Sequence, residues 1–183
     1  MLILASSSPR RKDLLEMLGT PFTIITPEVD ETLASDDLKE AIEDLSFRKA
    51  ASIFKDHKED IVLGADTLVT IDGKRLGKPK DKEDAKDMLR QLSGKTHEVI
   101  TAVSIVRPKR SETFSSVSLV TFYPMSEEEI ENYIATAEPL DKAGAYAIQG
   151  IGARYIRGIV GDYYAITGLP IGEVYHRIMA DSL

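Results

Sequence analysis

The chain has 183 residues, enough for one domain with a sizeable apolar core, and we predict a single domain over residues 1–183. Its apolar share of 43% and charged share of 29% are ordinary for a soluble globular protein, and the lack of a long apolar run argues against a membrane protein. The absence of cysteine excludes disulfides, thiol catalysis and zinc–thiolate sites, and we expect a cytoplasmic protein. The net charge of −7 argues against a nucleic-acid partner but leaves room for a small anion in a local basic pocket.

The first segment predicts a strand followed directly by a helix. Residues Leu2 to Ala5 are apolar, as in a short buried strand. Ser8 suits the N-cap of the helix, Pro9 suits its first position, and Gly19 suits a stop after Leu18.

The junction between this strand and helix combines serine hydroxyls, free backbone N–H groups and guanidinium groups. Ser6 and Ser8 precede Arg10 and Arg11, which lie in the first helical turn, where the partial positive charge of the helix end disfavours cations. An anionic ligand would use such a set of donors, so we predict a polyphosphate site here. The alternative is that the serines only cap the helix and the arginines point into solvent.

The next two segments each contain a charged residue that has two interpretations. After a predicted strand over 22–26, an acidic loop contains Glu31, which is either solvated or a ligand for a hard divalent cation. A predicted helix from about Leu38 to Lys55 carries Lys49 within its apolar stripe. We favour a Lys49 stem that runs along the core to an ammonium in water, and the alternative is an ammonium held inside a cleft.

Residues Ile61 to Ile71 predict a strand that is covered on both faces, yet Asp66 lies in its middle. A buried ionised carboxylate costs several kcal/mol or more unless it is paired, hydrogen-bonded or bound to a metal. Asp66 is therefore either a functional carboxylate or one half of a structural ion pair.

A hairpin is predicted next, because Asp72-Gly73 is a strong two-residue turn sequence. The returning strand would run to Lys78 and end at Pro79. Counted from the turn, Lys78 lies opposite or diagonal to Asp66 and Thr67.

The second half of the chain predicts further helices and a second hairpin. The expected elements are a helix from Asp81 to Leu92, strands over 96–107 and 113–123, a helix with a capping box at Ser126 and Glu129, and a final helix opened by Leu169-Pro170. Glycines between 144 and 168 indicate tight turns and close backbone approaches. Helices alternating with strands, followed by hairpins, predict an α/β architecture with a mixed sheet.

Several segments, taken in order along nearly the whole chain, are similar to one family. They are Ser6–Arg11, Asp30–Thr32, Arg48–Ala50, Gly64–Thr67, Leu76–Pro79, Ala145–Gly150 and Gly168–Pro170. Together they resemble the Maf family of nucleoside triphosphate pyrophosphatases. The resemblance implies an elongated, mixed β-sheet flanked by helices, with two lobes and a central cleft. That architecture is related to inosine triphosphate pyrophosphatase and often forms a homodimer. Ala165 departs from the family, in which asparagine is expected at this position in many relatives.

The resemblance also implies a reaction, the hydrolysis of a nucleoside triphosphate between its α and β phosphates with a divalent metal ion. It assigns Asp66 as the general base and Glu31, with Asp66, to the metal. It assigns Arg11, Lys49 and Lys78 to the triphosphate. Because only oxygen ligands are available, Mg²⁺ or Mn²⁺ is expected and Zn²⁺ is not.

Base preference is the last property that the resemblance implies. It assigns Arg10, Thr67 and Gln149 to the choice of base in the branch that acts on dTTP and UTP. The amide of Gln149 can pair with the imide edge of uracil or thymine, which supports that branch on chemical grounds. Three alternatives stay open. They are a 7-methyl-GTP pyrophosphatase of the same family, a nucleotidyltransferase, and a nucleotide-binding regulator of septum formation without catalysis. The dTTP/UTP pyrophosphatase itself would act in nucleotide-pool sanitation or in the control of cell division.

Overall fold

A computed structural model describes residues 1–179 as a mixed α/β fold. Its strands are β1 (Leu2–Ala5), β2 (Phe22–Ile24), β3 (Ile61–Ile71), β4 (Lys74–Leu76), β5 (Thr96–Val106), β6 (Ser111–Phe122) and β7 (Ile156–Val160). Its α-helices are α1 (Pro9–Glu16), α2 (Leu38–Phe54), α3 (Lys82–Leu92), α4 (Glu127–Ala135), α5 (Tyr163–Thr167) and α6 (Ile171–Met179). Three short 3₁₀ helices, Glu138–Asp141, Ala143–Ala145 and Ile151–Tyr155, lie between α4 and β7.

The strands form one mixed sheet in the order β2-β1-β3-β5-β6-β7, with β4 paired to β3. Strand β1 runs parallel to both β2 and β3, so that Leu4 lies opposite Ile24 on one side and Leu63 on the other. Parallel neighbours require crossover connections, which α1 and α2 supply. The pairs β3–β4 and β6–β7 are antiparallel. The predicted α/β architecture with a mixed sheet is confirmed.

Side-chain caps explain where several helices begin. Asp37 accepts hydrogen bonds from the backbone of Lys39 and Glu40 at the start of α2, and Asp81 caps α3. Ser126 and Glu129 form the predicted capping box of α4. No helix within residues 1–179 has the length and apolar character needed to cross a bilayer.

The chain divides into two compact units, each with its own core. The first unit comprises Met1–Thr67, Thr101–Ser116 and the segment from Gly168 onward, and the second comprises Leu68–Ile100 and Val117–Thr167. Members of the first core are Leu4, Leu14, Leu15, Leu63, Val103, Ile105 and Val174. Members of the second core are Leu89, Leu92, Val120, Phe122, Ile130, Tyr133 and Tyr146. The single domain over 1–183 and the cleft between two lobes stay predictions.

Several predicted boundaries are wrong in an informative way. Helix α1 ends at Glu16, and the chain turns through Met17 and Leu18 before Gly19, whose φ of +66° suits a helix exit. The hairpin has the predicted turn, but β4 ends at Leu76, before Lys78, so Pro79 does not end the strand. Strand β7 and helix α5 were not predicted, because their glycine-rich surroundings indicate turns.

Candidate active site

The ammonium group of Lys49 is the centre of an ion-pair cluster in the first unit. Its Nζ lies 2.7 Å from Asp66 Oδ1 and 2.8 Å from Glu31 Oε1. Lys49 is only 6% exposed, so little of its side chain is in contact with water. The favoured sequence interpretation, a stem that carries the ammonium to the surface, is therefore wrong, and the ammonium is held by two carboxylates.

Three elements supply this cluster. Helix α2 carries Lys49, strand β3 carries Asp66, and the loop after β2 carries Glu31. Helix and strand come close because Gly64 packs against α2: a Cβ built on Gly64 would lie 2.4 Å from the Ser46 carbonyl oxygen and 2.7 Å from the Ala50 nitrogen. The missing side chain at Gly64 thus lets the lysine reach the aspartate two residues further along the strand.

The two carboxylates fit a hard divalent cation. Both accept one ammonium, which shows that their oxygens converge on a single cationic centre. Magnesium is usually held by one or two carboxylates, while phosphate oxygens and water complete its coordination. Within residues 1–179, no group of three or more His, Asp or Glu side chains could hold a metal ion. The metal site at Glu31 and Asp66 stays a prediction.

Arg11 connects three segments of the first unit. Its Nε donates to the Gly168 carbonyl oxygen at 2.9 Å, Nη1 to Ser6 Oγ at 3.3 Å and Nη2 to Thr67 Oγ1 at 3.2 Å. Burial lowers the pKa of Arg11, while the nearby Asp66 carboxylate acts in the opposite direction. A guanidinium has five N–H donors, so at most two are left for a ligand. Arg11 therefore organises the loop after β1 in addition to carrying charge.

The serines of this loop have different surroundings. Ser6 is buried, and its Oγ also accepts from the Ser8 backbone nitrogen at 3.2 Å. Ser8 occupies the N-cap position, as predicted, but its side chain makes no capping hydrogen bond. The interpretation in which the serines only cap the helix is therefore wrong for Ser8. Arg10 is half-buried, and its guanidinium has no hydrogen bond or ion pair within residues 1–179.

The hydroxyl of Thr67 is already engaged. Besides accepting from Arg11, its Oγ1 lies 2.9 Å from Thr101 Oγ1, and Thr101 is fully buried. Thr67 thus fixes the guanidinium of Arg11 next to the strand that bears Asp66.

Two predicted site residues belong to the second unit. Lys78 is exposed and follows the end of β4. Gln149 is exposed and lies in a turn in which the Gly150 nitrogen donates to the Ala147 carbonyl oxygen at 3.4 Å. Ala165, the departure from the family pattern, is 1% exposed within α5. The structure thus brings Ser6, Arg11, Glu31, Lys49, Asp66 and Thr67 into the first unit, with Lys78 and Gln149 in the second.

Arg48 is a contributing residue that the sequence interpretation missed. Its Nη1 donates to the Asp30 carbonyl oxygen, its Nη2 to the Thr32 carbonyl oxygen at 2.9 Å, and its Nε to Asp44 Oδ2 at 2.7 Å. These two carbonyls flank Glu31. Hydrogen bonds from Thr32 also hold the pKa of Asp30 below its usual value. Arg48 therefore fixes the loop that presents Glu31. Its sequence sign was its place in the family-like segment Arg48–Ala50, but no role was assigned to it there.

Comparison with known proteins decides the family. The profile of the family described as Maf-like protein matches residues 1–180. The chain belongs to the Maf-like family. A dTTP/UTP pyrophosphatase of Bacillus cytotoxicus is 50% identical over 177 residues, which cover 96% of this chain and 93% of that protein. A dTTP/UTP pyrophosphatase of Bacillus mycoides is 48% identical over 178 residues, 97% of this chain and 93% of the relative.

The fold of this Maf-like chain has a counterpart among solved structures. The structure of the Staphylococcus aureus Ham1 protein superposes with a TM-score of 0.58 at 13% sequence identity, covering 98% of each chain. At this identity the likeness concerns the fold alone. It agrees with the architecture that the resemblance implied.

Proposed function

We propose that this Maf-like chain hydrolyses dTTP and UTP to the nucleoside monophosphate and pyrophosphate. The observation that carries the proposal is the Lys49 ammonium between Asp66 and Glu31. The residue after Asp66 on the same strand, Thr67, holds Arg11. This arrangement supplies cations for a polyphosphate and a carboxylate for a proton. The names of the two Bacillus relatives support the choice of substrates.

The chemistry assigns a distinct task to each residue. A water molecule attacks the α-phosphorus, the α–β bridging P–O bond breaks, and pyrophosphate leaves. Asp66 accepts the proton of the attacking water. Arg11 and Lys49 offset the phosphate charge, which is most of what phosphoryl transfer requires of a protein. Lys78 is proposed to contribute a further cation. Ser6 and Ser8 are proposed to contribute hydrogen-bond donors from their hydroxyl groups or backbone nitrogens.

Glu31 and Asp66 are the residues that would hold Mg²⁺ or Mn²⁺. When bound, such an ion neutralises phosphate charge and lowers the pKa of a coordinated water. Lys49 already occupies the space between these carboxylates, so we expect its ammonium to move towards the triphosphate when a metal ion binds.

Base preference is proposed to depend on Gln149, Arg10 and Thr67. Gln149 is exposed, and its amide offers one donor and one acceptor to the imide edge of uracil or thymine. Arg10 has no partner within residues 1–179 and is available to a ligand. Thr67 would act through the guanidinium of Arg11, which it holds.

The test is a product assay by phosphorus-31 NMR with dTTP, UTP, CTP and 7-methyl-GTP, each with Mn²⁺ or Mg²⁺. We expect monophosphate and pyrophosphate from dTTP and UTP, and loss of turnover on chelation or in Asp66→Asn. Asp72→Asn is the matched control, because Asp72 lies in an exposed turn with a φ of +51°, which asparagine tolerates. Diphosphate and orthophosphate as products would contradict the proposal.

Other outcomes of the same assay separate the remaining classes. Turnover that depends on an added acceptor would indicate a nucleotidyltransferase, and faster hydrolysis of 7-methyl-GTP would indicate the other branch. Binding without turnover would indicate a regulator. A septum-formation phenotype that survives Asp66→Asn would separate any role in cell division from catalysis.

A further inference from the structure

The turn that carries Gln149 is attached at both ends to one pair of side chains in the second unit. Before the turn, the Ala147 nitrogen donates to Tyr133 Oη at 3.1 Å. After it, the Ile151 nitrogen donates to Glu138 Oε1 at 2.8 Å and the Gly152 nitrogen to Glu138 Oε2 at 2.9 Å. Gln149 lies between these attachment points.

The two side chains also bind each other. Tyr133 Oη donates to Glu138 Oε2 at 2.6 Å, a short, charge-assisted hydrogen bond. Tyr133 is 1% exposed, and its ring lies 5.3 Å from the ring of Tyr155. The phenol is therefore fixed by packing, and it fixes the carboxylate in turn.

Two glycines allow the backbone to approach this pair. A Cβ on Gly150 would lie 1.7 Å from Glu138 Oε1, and a Cβ on Gly152 would lie 2.4 Å from Tyr133 Oη. Neither distance is possible for a real side chain. The glycines thus fit the backbone around Glu138 and Tyr133.

The charge state of the pair matches this arrangement. Burial disfavours the ionised form of Glu138, but hydrogen bonds from Tyr133, Gly152 and Ile151 outweigh it and lower the pKa of the carboxyl. Burial also raises the pKa of Tyr133, so its hydroxyl remains a donor. A carboxylate that accepts three hydrogen bonds holds backbone more firmly than a neutral acceptor would.

We propose that Glu138 and Tyr133 are positioning residues for Gln149, which fix the 147–150 turn and thereby the base preference of the enzyme. The inference rests on the proposed function, in which Gln149 reads the pyrimidine edge. An amide on a mobile turn must be ordered when the ligand binds, and that ordering reduces affinity. A turn fixed beforehand avoids this loss and also disfavours bases that would need a different amide position.

The experiment measures binding instead of turnover. UTP, CTP and inorganic tripolyphosphate are titrated calorimetrically against Asp66→Asn protein, with and without Glu138→Gln or Tyr133→Phe. Glutamine lacks one of the two acceptor oxygens, and phenylalanine keeps the ring but loses the hydroxyl. Glu131→Gln and Tyr123→Phe are the matched controls, because both residues are exposed in the same unit.

We expect each positioning variant to weaken UTP binding and to reduce the preference for UTP over CTP by about tenfold, the effect of losing one charge-assisted hydrogen bond. Binding of tripolyphosphate, which has no base, should stay unchanged. Amide exchange of Ile151 and Gly152, followed by NMR, should accelerate in Glu138→Gln. The two control variants should behave as the parent protein.

Three outcomes would overturn the inference. The first is an unchanged preference for UTP over CTP despite faster exchange of these amides, which would leave Glu138 a purely structural role. The second is an equal loss for UTP, CTP and tripolyphosphate, which would indicate general disruption. The third is a parent protein without preference between the two nucleotides. Absence of hydrolysis in the wild-type chain would contradict only the proposed function, because this titration needs no turnover.

Discussion

Lys49 Nζ lies 2.7 Å from Asp66 Oδ1, and the lysine side chain is the more deeply buried partner, at 8% exposed against 19% for the aspartate. A lysine in this position is expensive to desolvate unless carboxylates face it. The pair therefore bears on two measurable properties, the affinity for a triphosphate and the packing of α2 against β3.

Lys49→Met should weaken triphosphate binding by about tenfold or more, because it removes a desolvated cation that we place on the phosphates. The free energy of unfolding should fall by no more than about 2 kcal/mol, since methionine keeps the stem and both carboxylates can rehydrate. Calorimetry and urea unfolding measure the two effects. Lys39→Met is the control, because Lys39 lies on the same helix with 59% of its side chain exposed. Unchanged triphosphate affinity would contradict the assignment.

Gly64→Ala should destabilise the first unit by about 1–3 kcal/mol, because the new methyl group overlaps the backbone of α2. It should also reduce hydrolysis, since α2 can relieve the overlap only by moving Lys49 away from Asp66. Thermal unfolding and the product assay measure the effects. Gly172→Ala has open space around its new Cβ and lies in α6, so it should be neutral or stabilising by up to about 1 kcal/mol. Equal effects of the two substitutions would contradict the packing argument.

Arg11→Lys should lower the free energy of unfolding by about 1–3 kcal/mol, although it conserves charge. An ammonium cannot reproduce the fork that reaches Ser6, Thr67 and Gly168 together. Arg10→Lys should change stability by less than about 0.5 kcal/mol, because Arg10 has no such partners within residues 1–179. Urea unfolding of both variants gives the comparison, and a similar stability for the two would show that Arg11 does not organise the loop.

His97 predicts a pH dependence of stability in the second unit. It is 2% exposed, its Nε2 lies 2.8 Å from Tyr146 Oη, and burial lowers its pKa to about 4 from 6.5. The unfolded chain takes up a proton below about pH 6.5, whereas the native state does so only near pH 4. The contribution of His97 to stability is thus fully present above pH 6.5 and falls towards pH 4 at about 1.4 kcal/mol per pH unit, or about 3 kcal/mol over the 2.5 units.

The measurement for His97 is urea unfolding between pH 4.5 and 7.5 for the wild type and His97→Gln. Carboxylates contribute equally to both proteins, so the difference between the two curves isolates the histidine. A difference that does not vary with pH would contradict the lowered pKa.

Local patterns were sufficient for much of the fold. The apolar run Ile61–Ile71 gave the bounds of β3, and the Ser126–Glu129 pair gave the start of α4, because each depends on neighbours within a few residues. The same holds for the Asp72-Gly73 turn. The length of the returning strand does not depend on neighbouring residues alone, and β4 ends at Leu76, short of the predicted end at Lys78.

The contacts of the site were less accessible to sequence reasoning. Periodicity placed Lys49 on the apolar face of its helix, but it could not say that carboxylates 18 residues before and 17 residues after would meet it there. Glu138 and Tyr133 were missed for the same reason. Gly150 and Gly152 did indicate a close approach of the backbone, but not to which side chains.

The hydrogen bond from Arg11 to the Gly168 carbonyl spans 157 residues. The first unit combines segments from the start, middle and end of the chain, whereas the second is complete at Thr167. On a ribosome, the second unit therefore has all its residues available before the first. The arginine that we assign to the triphosphate gains its full set of partners only when Gly168 has emerged. A nascent chain should consequently acquire nucleotide affinity only after Gly168 has left the ribosome, later than the second unit can fold.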